Sequence, residues 1–226
     1  YPEAGFVRCD NSIQALQKLA SSHRDRFKGT LVAITGSNGK TVTKEWIAHL
    51  CPPGIKLFRS PRSYNSQIGV ALSLLMIEGD EQLAIIEAGI SEPGEMERLE
   101  AMIRPDIGIF TNLGDAHQEH FTSLEQKLSE KLILFRHART ILYNACEQWV
   151  TDQIACTYAD HKLCAVDPNH YDLSTLPYRD QASLENAAKA IALYDILGYN
   201  LKSILATLPS LQSVAMRMEL KEGING

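Results

Sequence analysis

Val32-Ala33-Ile34-Thr35-Gly36-Ser37-Asn38-Gly39-Lys40-Thr41-Val42-Thr43-Lys44-Glu45 runs from a β-branched apolar segment, through a turn holding two glycines, into Lys-Thr and a helical pattern (Val42, Trp46, Ile47, Leu50). Main-chain N–H groups of such a turn and the N-terminus of the following helix surround a polyphosphate, while the lysine supplies a point charge. The expected ligand is ATP or a relative, held by Gly36, Ser37, Asn38, Gly39, Lys40 and Thr41, with Thr43 on the helix behind them. The match is partial, because the full pattern also has glycine at position 34, where Ile34 stands. A plain strand-to-helix turn with an incidental Lys-Thr is the alternative. The register of strand, turn, lysine, hydroxyl and helix favours the loop.

Working outward, Asp10-Asn11-Ser12 caps a helix with apolar positions Ile13, Leu16, Leu19, Ala20 and Phe27, which leads into the loop strand. Pro52-Pro53-Gly54 ends the loop helix, and a short strand is expected around Lys56 to Arg59. A helix follows from Ile68 to Ile77, with Ile68, Leu72, Leu75 and Met76 read as one side. Leu83-Ala84-Ile85-Ile86 is apolar on both faces, as in a central strand of a parallel sheet, and Ile107 to Phe110 repeats that pattern after a helix from Glu92 to Ile103. Ser123 to Phe135 reads as helix, Thr140 to Tyr143 and Lys162 to Val166 as strands, and Ser183 to Leu197 and Leu201 to Leu208 as helices. This alternation specifies an α/β protein: a mostly parallel, doubly wound sheet with helices on both faces. Ligands of such sheets bind beyond the carboxyl ends of the strands. That directs attention to residues 36–41, 59–66, 87–91, 111–120 and 144.

A chain of 226 residues supports one substantial core. The net charge of −5, with no run of Lys and Arg, argues against a nucleic-acid surface. Five cysteines, Cys9, Cys51, Cys146, Cys156 and Cys164, form neither a CxxC pair nor an even disulfide framework, so they read as reduced, mostly packed thiols of a cytoplasmic protein. No apolar run approaches the roughly 18 to 20 residues of a membrane span, so no membrane partner is expected.

Glu87 is delivered at a strand end in apolar surroundings, where an isolated carboxylate is costly unless paired or bound to metal. Beside a triphosphate the expected partner is Mg2+, with the Thr41 hydroxyl as a second oxygen; a salt bridge to a nearby Lys or Arg is the alternative. His117 and His120 suggest zinc by their spacing. No Cys or third His completes a closed zinc site, and a hydrogen-bonded loop histidine is the ordinary reading of either.

Thr35 to Thr41, Asn65-Ser66-Gln67-Ile68-Gly69-Val70, Glu87-Ala88-Gly89 with Pro93-Gly94-Glu95, Arg104-Pro105-Asp106, and Thr111-Asn112 through Ala116-His117 together resemble the Mur ligases of peptidoglycan synthesis. The Ser-Tyr-Asn-Ser-Gln-Ile-Gly block and the Val-Thr-Lys-Glu after the loop look most like the group that adds D-alanyl-D-alanine to UDP-N-acetylmuramoyl-tripeptide, in versions fused to an alanine racemase. The resemblance implies a phosphate-loop central ATP-binding domain and amide formation through an acyl phosphate. It implies that Lys40 holds phosphates, that Thr41 and Glu87 bind one Mg2+, and that His117 and a CO2-carbamylated Lys131 bind a second. Without it, Lys131 reads as a solvated helix lysine, and Lys127, one turn earlier, is expected to stay one.

Asn65 and Ser66 align with the family's substrate loop, Asn144 and Asn186 with positions near the nucleotide, and Arg217 with an arginine at the junction to a last domain. Asparagine after a strand is also a common turn former. Ala71, Cys146 and Ala182 depart from residues usual in the family, the last two near the base. The same resemblance implies three parts: residues 1–28 as the tail of an N-terminal UDP-substrate domain, 29–216 as the central domain, and 217–226 as the junction to an absent C-terminal domain. No pyridoxal phosphate belongs to this stretch. Folylpolyglutamate synthetase, another ATP-dependent ligase, and a P-loop phosphotransferase or nucleotide-binding regulatory module are the alternatives.

Overall fold

The computed structural model describes residues 5, 8–114 and 120–214. Within them, β1 (Thr30–Thr35), β2 (Leu57–Arg59), β3 (Leu83–Glu87), β4 (Ile107–Phe110), β5 (Thr140–Asn144) and β6 (Lys162–Val166) form one sheet in the order β2-β3-β1-β4-β5-β6. Every strand pairing is parallel. Parallel strands need long crossovers, and helices supply them: α1 (Ser12–Arg24), α2 (Lys40–His49), α3 (Gln67–Leu75), α4 (Glu95–Ile103), α5 (Leu124–Leu132), α6 (Gln148–Thr157), α7 (Gln181–Ile196) and α8 (Leu201–Leu205). After β3 the chain passes beyond β1 to β4, so β1 ends where strand order reverses, the usual place for a ligand in an open α/β sheet.

Side-chain alternation along β1 divides the interior in two. Leu31 and Ala33 join a core with Ala84, Ile86, Leu74, Leu99 and Leu132, whereas Val32 and Ile34 join another with Trp46, Ile85, Ile109 and Ile191. Asn11 caps α1 as its side chain implies, accepting from the Gln14 amide at 3.0 Å. The helix packs on α3 and α4. Arg24 ties its end to the base of β4, through the Ile103 carbonyl (2.9 Å) and Asp106 (3.3 Å).

Three sequence expectations are corrected. The side of α3 marked by Ile68, Leu72 and Met76 faces solvent at 45, 40 and 53 % exposure, and the core takes Val70, Ala71 and Leu74 instead. This helix is apolar nearly all round, so periodicity cannot choose the face that a neighbour covers. In α1, Ile13 and Leu19 are likewise exposed. All five cysteines are free, as expected, but Cys9, Cys146 and Cys156 are exposed rather than packed. Helix α6 escapes the sequence reading because it buries only Val150 and Ile154. Among the described residues no helix is long and apolar enough to cross a membrane.

Candidate functional site

The turn after β1 is shaped by its glycines and held from β4. Gly36 has φ +144°, and a Cβ there would lie 1.9 Å from Thr111 Oγ1 and 3.0 Å from the Asn112 backbone. Gly39, at φ +78°, precedes α2, and a Cβ there would lie 2.6 Å from Asn186 Oδ1. The residues after β4 form the scaffold. Thr111 Oγ1 donates to the Asn38 carbonyl (2.6 Å), Asn112 Oδ1 accepts from the Asn38 amide (2.9 Å), and the Asn112 carbonyl accepts from the Ser37 amide (2.9 Å). Ser37 Oγ donates to the Gly114 carbonyl at 3.0 Å. Gly36→Ala is therefore expected to lower stability by at least about 2 kcal/mol, from left-handed strain plus backbone overlap. Chemical denaturation measures it; a variant as stable as the parent would show that the turn accommodates a side chain.

Lys40 folds over the loop, its Nζ donating to the carbonyls of Gly36 (2.9 Å) and Ser37 (3.0 Å). Behind the loop, Thr43, wholly buried, donates to Asn186 Oδ1 at 3.2 Å, so α7 is tied to α2 at the turn. Asn144 accepts from the Cys146 amide at 3.0 Å and so makes a turn at the end of β5.

Glu87 ends β3 fully buried, with a partner on each carboxylate oxygen. Oε2 accepts from Thr41 Oγ1 at 3.0 Å, and Oε1 accepts from Asn65 Nδ2 at 2.8 Å. Lys44 Nζ, also wholly buried, lies 3.5 Å from Oε2 and 3.6 Å from Glu45 Oε1. It donates to the Ser60 carbonyl at 2.9 Å and to the Arg62 carbonyl. The salt bridge weighed as the alternative for Glu87 is thus present, with Lys44 as its cation. Thr41 and Glu87 still set two hard oxygen atoms side by side, a donor set suited to Mg2+, which takes few carboxylates and completes its shell with phosphate oxygens and water. Ser66 caps α3, its Oγ accepting from the Gly69 amide at 3.3 Å.

A cavity of about 110 Å³ brings Gly36, Ser37, Lys40, Asn65, Ser66 and Lys131 to one wall. Lys131 is only 3 % exposed and donates to the Gly36 carbonyl at 3.3 Å. Burial first, then the cations Lys40 and Lys127, lower its pKa from the usual lysine value to about 7. Lys127 is corrected: it is not a solvated lysine but wholly buried, donating to the Gly114 carbonyl that Ser37 also uses. His117 and Arg217 lie outside the described residues, and His120 is exposed.

Sequence reasoning placed Lys40, Thr41, Asn65, Glu87 and Lys131 together; it marked Thr111, Asn112 and Lys44 without giving them a role, and missed that Lys127 belongs to the scaffold. Thr111-Asn112 had a signal in its position just after a strand end; Lys44 had one only in the Val-Thr-Lys-Glu block that carries the resemblance, and Lys127 had none.

A parallel sheet with this glycine turn at the carboxyl end of an interior strand, backed by a carboxylate from the next strand, defines an α/β domain of phosphate-loop type. Residues 34–193 match the Mur ligase middle domain, and the chain belongs to the Mur ligase family. It is 30 % identical, over 97 % of its length, to the UDP-N-acetylmuramoyl-tripeptide–D-alanyl-D-alanine ligase of Borreliella burgdorferi, of which it covers 49 %. Among solved structures, it is similar to MurF of Acinetobacter baumannii (TM-score 0.85, 21 % identity, covering 96 % of this chain and 54 % of that one). It is also similar to a MurF ligase of Thermotoga maritima in complex with ADP (TM-score 0.79, 22 % identity, 98 % and 59 %). The chain spans about half the length of the curated relative.

Proposed function

We propose that this chain is the central nucleotide-binding part of an ATP-dependent ligase that adds D-alanyl-D-alanine to UDP-N-acetylmuramoyl-tripeptide in the peptidoglycan pathway of the cytoplasm. The observation that carries the reading is the convergence of Lys40, Thr41, Asn65, Glu87 and Lys131, from four separate stretches of chain, around one glycine turn. The name of the Borreliella burgdorferi relative supplies the substrates, and the ADP in the Thermotoga maritima ligase supports a nucleotide at the turn. Residues 29–216 are proposed as the central domain, 1–28 as the tail of a UDP-substrate domain, and 217–226 as the junction to a third. A fused alanine racemase is carried by the resemblance alone.

In this reading a peptide carboxylate oxygen attacks the γ-phosphorus of ATP, the bond to the bridging oxygen breaks, and ADP leaves an acyl phosphate behind. The dipeptide nitrogen then attacks the acyl carbon; phosphate departs with the C–O electron pair, and the nitrogen loses a proton. The chain's task is positioning and charge compensation. Lys40 and the amides at the N-terminus of α2 would face the phosphates, countering the repulsion between two anions that must meet, while the Ser37 and Asn38 amides are held by Asn112. Asn65, anchored on Glu87, presents the substrate loop with Ser66. Asn144, Asn186, Thr43 and Arg217 are assigned to the nucleotide side.

Thr41 and Glu87 would hold one Mg2+, and His117 with a carbamate on Lys131 a second; bound there, the ions supply positive charge to the phosphates. Lys131 suits carbamylation because a pKa of about 7 leaves much of its amine neutral, the form that adds CO2. The same neighbours, Lys40 and Lys127, that disfavour its ammonium favour a carbamate anion.

The test is coupled ADP release. The full-length ligase should release ADP only when the tripeptide nucleotide and D-alanyl-D-alanine are both present, and this chain alone should release none. Release with folate and glutamate but not with the muramoyl peptide would replace the proposal with the folylpolyglutamate alternative. ATP turnover that ignores both acceptors would favour a phosphotransferase.

A further inference from the structure

Helix α5 meets the phosphate turn twice, one helical turn apart. Lys131 donates to the Gly36 carbonyl directly, and Lys127 donates to the Gly114 carbonyl, which also accepts from Ser37 Oγ at 3.0 Å. Residues four apart share a helix face, so both ammonium groups lie on the same side of α5. Lys131 has a place in the proposed chemistry; Lys127, wholly buried, enters it only as a neighbouring charge.

Taking an ammonium out of water is costly, and an apolar side chain of similar length would fill the same space without that cost. What an apolar side chain could not do is hold the Gly114 peptide. That peptide lies against the turn: a Cβ on Gly114 would be 3.1 Å from Asn38 Nδ2 and 3.6 Å from Ser37 Cβ. Ser37 in turn seats Lys40, whose Nζ donates to the Ser37 carbonyl at 3.0 Å. Helix α5 has other anchors. Leu128 and Leu132 are in the core, Glu130 accepts from the Gly94 and Met96 amides (2.6 and 3.3 Å), and the Tyr158 hydroxyl donates to the Leu132 carbonyl. The helix is therefore the fixed member of the pair, and residue 114 is the one that is held.

We infer that Lys127 is a positioning residue for the nucleotide: it pins the Gly114 peptide, and through Ser37 the phosphate turn and Lys40, to a helix that the core already holds. The inference rests on the turn being the nucleotide's seat and adds to that reading what keeps the turn in shape. Asn112 fixes the Ser37 and Asn38 amides from one side, and the chain of bonds from Lys127 through Gly114 fixes the Ser37 side chain from the other. Ser37 lines the small cavity and Lys127 does not, so the action of Lys127 on the nucleotide runs through Gly114 and Ser37.

The experiment measures ADP binding to the full-length ligase by calorimetry in CO2-free buffer, where no carbamate forms on Lys131 and the charge of Lys127 cannot act through one. Lys127→Met should weaken ADP binding about tenfold, and the Ser37 and Asn38 amides should exchange with solvent about tenfold faster while those of Ile85 and Ile86 are unchanged. Lys127→Gln, whose amide stops short of the Gly114 carbonyl, should do the same. Ser37→Ala should weaken ADP binding by a similar factor, and the double variant Lys127→Met with Ser37→Ala should be little worse than either alone, because both cut one chain of bonds. A lysine acting through charge alone would instead give losses that multiply. An ADP affinity within about twofold of the parent's, unaltered exchange at Ser37, or losses that multiply would each overturn the inference. So would failure of both Lys127 variants to fold, which would show a purely structural role. Failure of the underlying reading looks different: the unmutated ligase would then bind no ADP.

Discussion

Replacing Glu87 with glutamine should lower the stability of this domain by about 3 kcal/mol, because it leaves the Lys44 ammonium buried without its full counter-charge. Both residues are fully shielded from water, and Lys44 has two carbonyls as its other firm partners. A glutamine keeps the oxygen that Asn65 needs but turns an N–H donor toward Thr41 and Lys44, where the native oxygen accepts. Lys44→Met in the same chain should recover most of the loss, giving a coupling of about 2 kcal/mol in a double-mutant cycle. The variant should also bind Mn2+ in the presence of ADP at least about tenfold more weakly, as read by electron paramagnetic resonance, because a carboxylate ligand is gone. Unfolding midpoints equal to the parent's, with no coupling to Lys44, would show that the ion pair contributes nothing and that Glu87 is not held as described.

Lys131→Met should move stability and activity in opposite directions. In the folded chain Lys131 loses its proton near pH 7, whereas in the unfolded chain it keeps it to about 10.5. Between those values the unfolded state binds more protons, so through this group stability rises with pH from 7 to 10.5, and the penalty is fully present below 7. Removing the amine should therefore stabilise the metal-free, CO2-free domain by about 2 kcal/mol at pH 6 and flatten the rise above pH 7. In the full-length ligase the same substitution should cost roughly a thousandfold in turnover, the scale of losing a preorganised charge from the site. Carbon-13-labelled bicarbonate should give a carbamate resonance in the parent that the variant lacks. A less stable variant at pH 6, with the pH slope intact, would mean that Lys131 is not held as an unfavourable buried cation.

The five residues around the turn come from four stretches of chain, and their convergence was legible because each sits at or just after a recognisable strand end, or on a helix that the resemblance marked. Glu87 illustrates the limits of that legibility. Its apolar neighbours announced a buried carboxylate needing a partner, and two candidates stood open, a metal or a basic side chain. The fold supplies the basic one in Lys44, one turn into α2. Between Thr43 and Glu45, Lys44 has polar neighbours like those of a surface lysine, and the block that carries the resemblance marks it without saying that it is buried.

By itself the sequence determined the strand–turn–helix grammar, the alternation that makes a doubly wound sheet, and the ends of strands where chemistry collects. Those follow from backbone conformation and from apolar periodicity within a few residues. Tertiary structure alone decided which side of α3 is dry and that Lys44, Lys127 and Lys131 lie in the interior. Burial depends on what packs over a side chain, and the covering groups come from distant parts of the chain: Ser60 and Glu87 for Lys44, Gly114 for Lys127, Gly36 for Lys131. A lysine's charge is written in its codon, but the cost of that charge depends on the neighbours the fold brings to it.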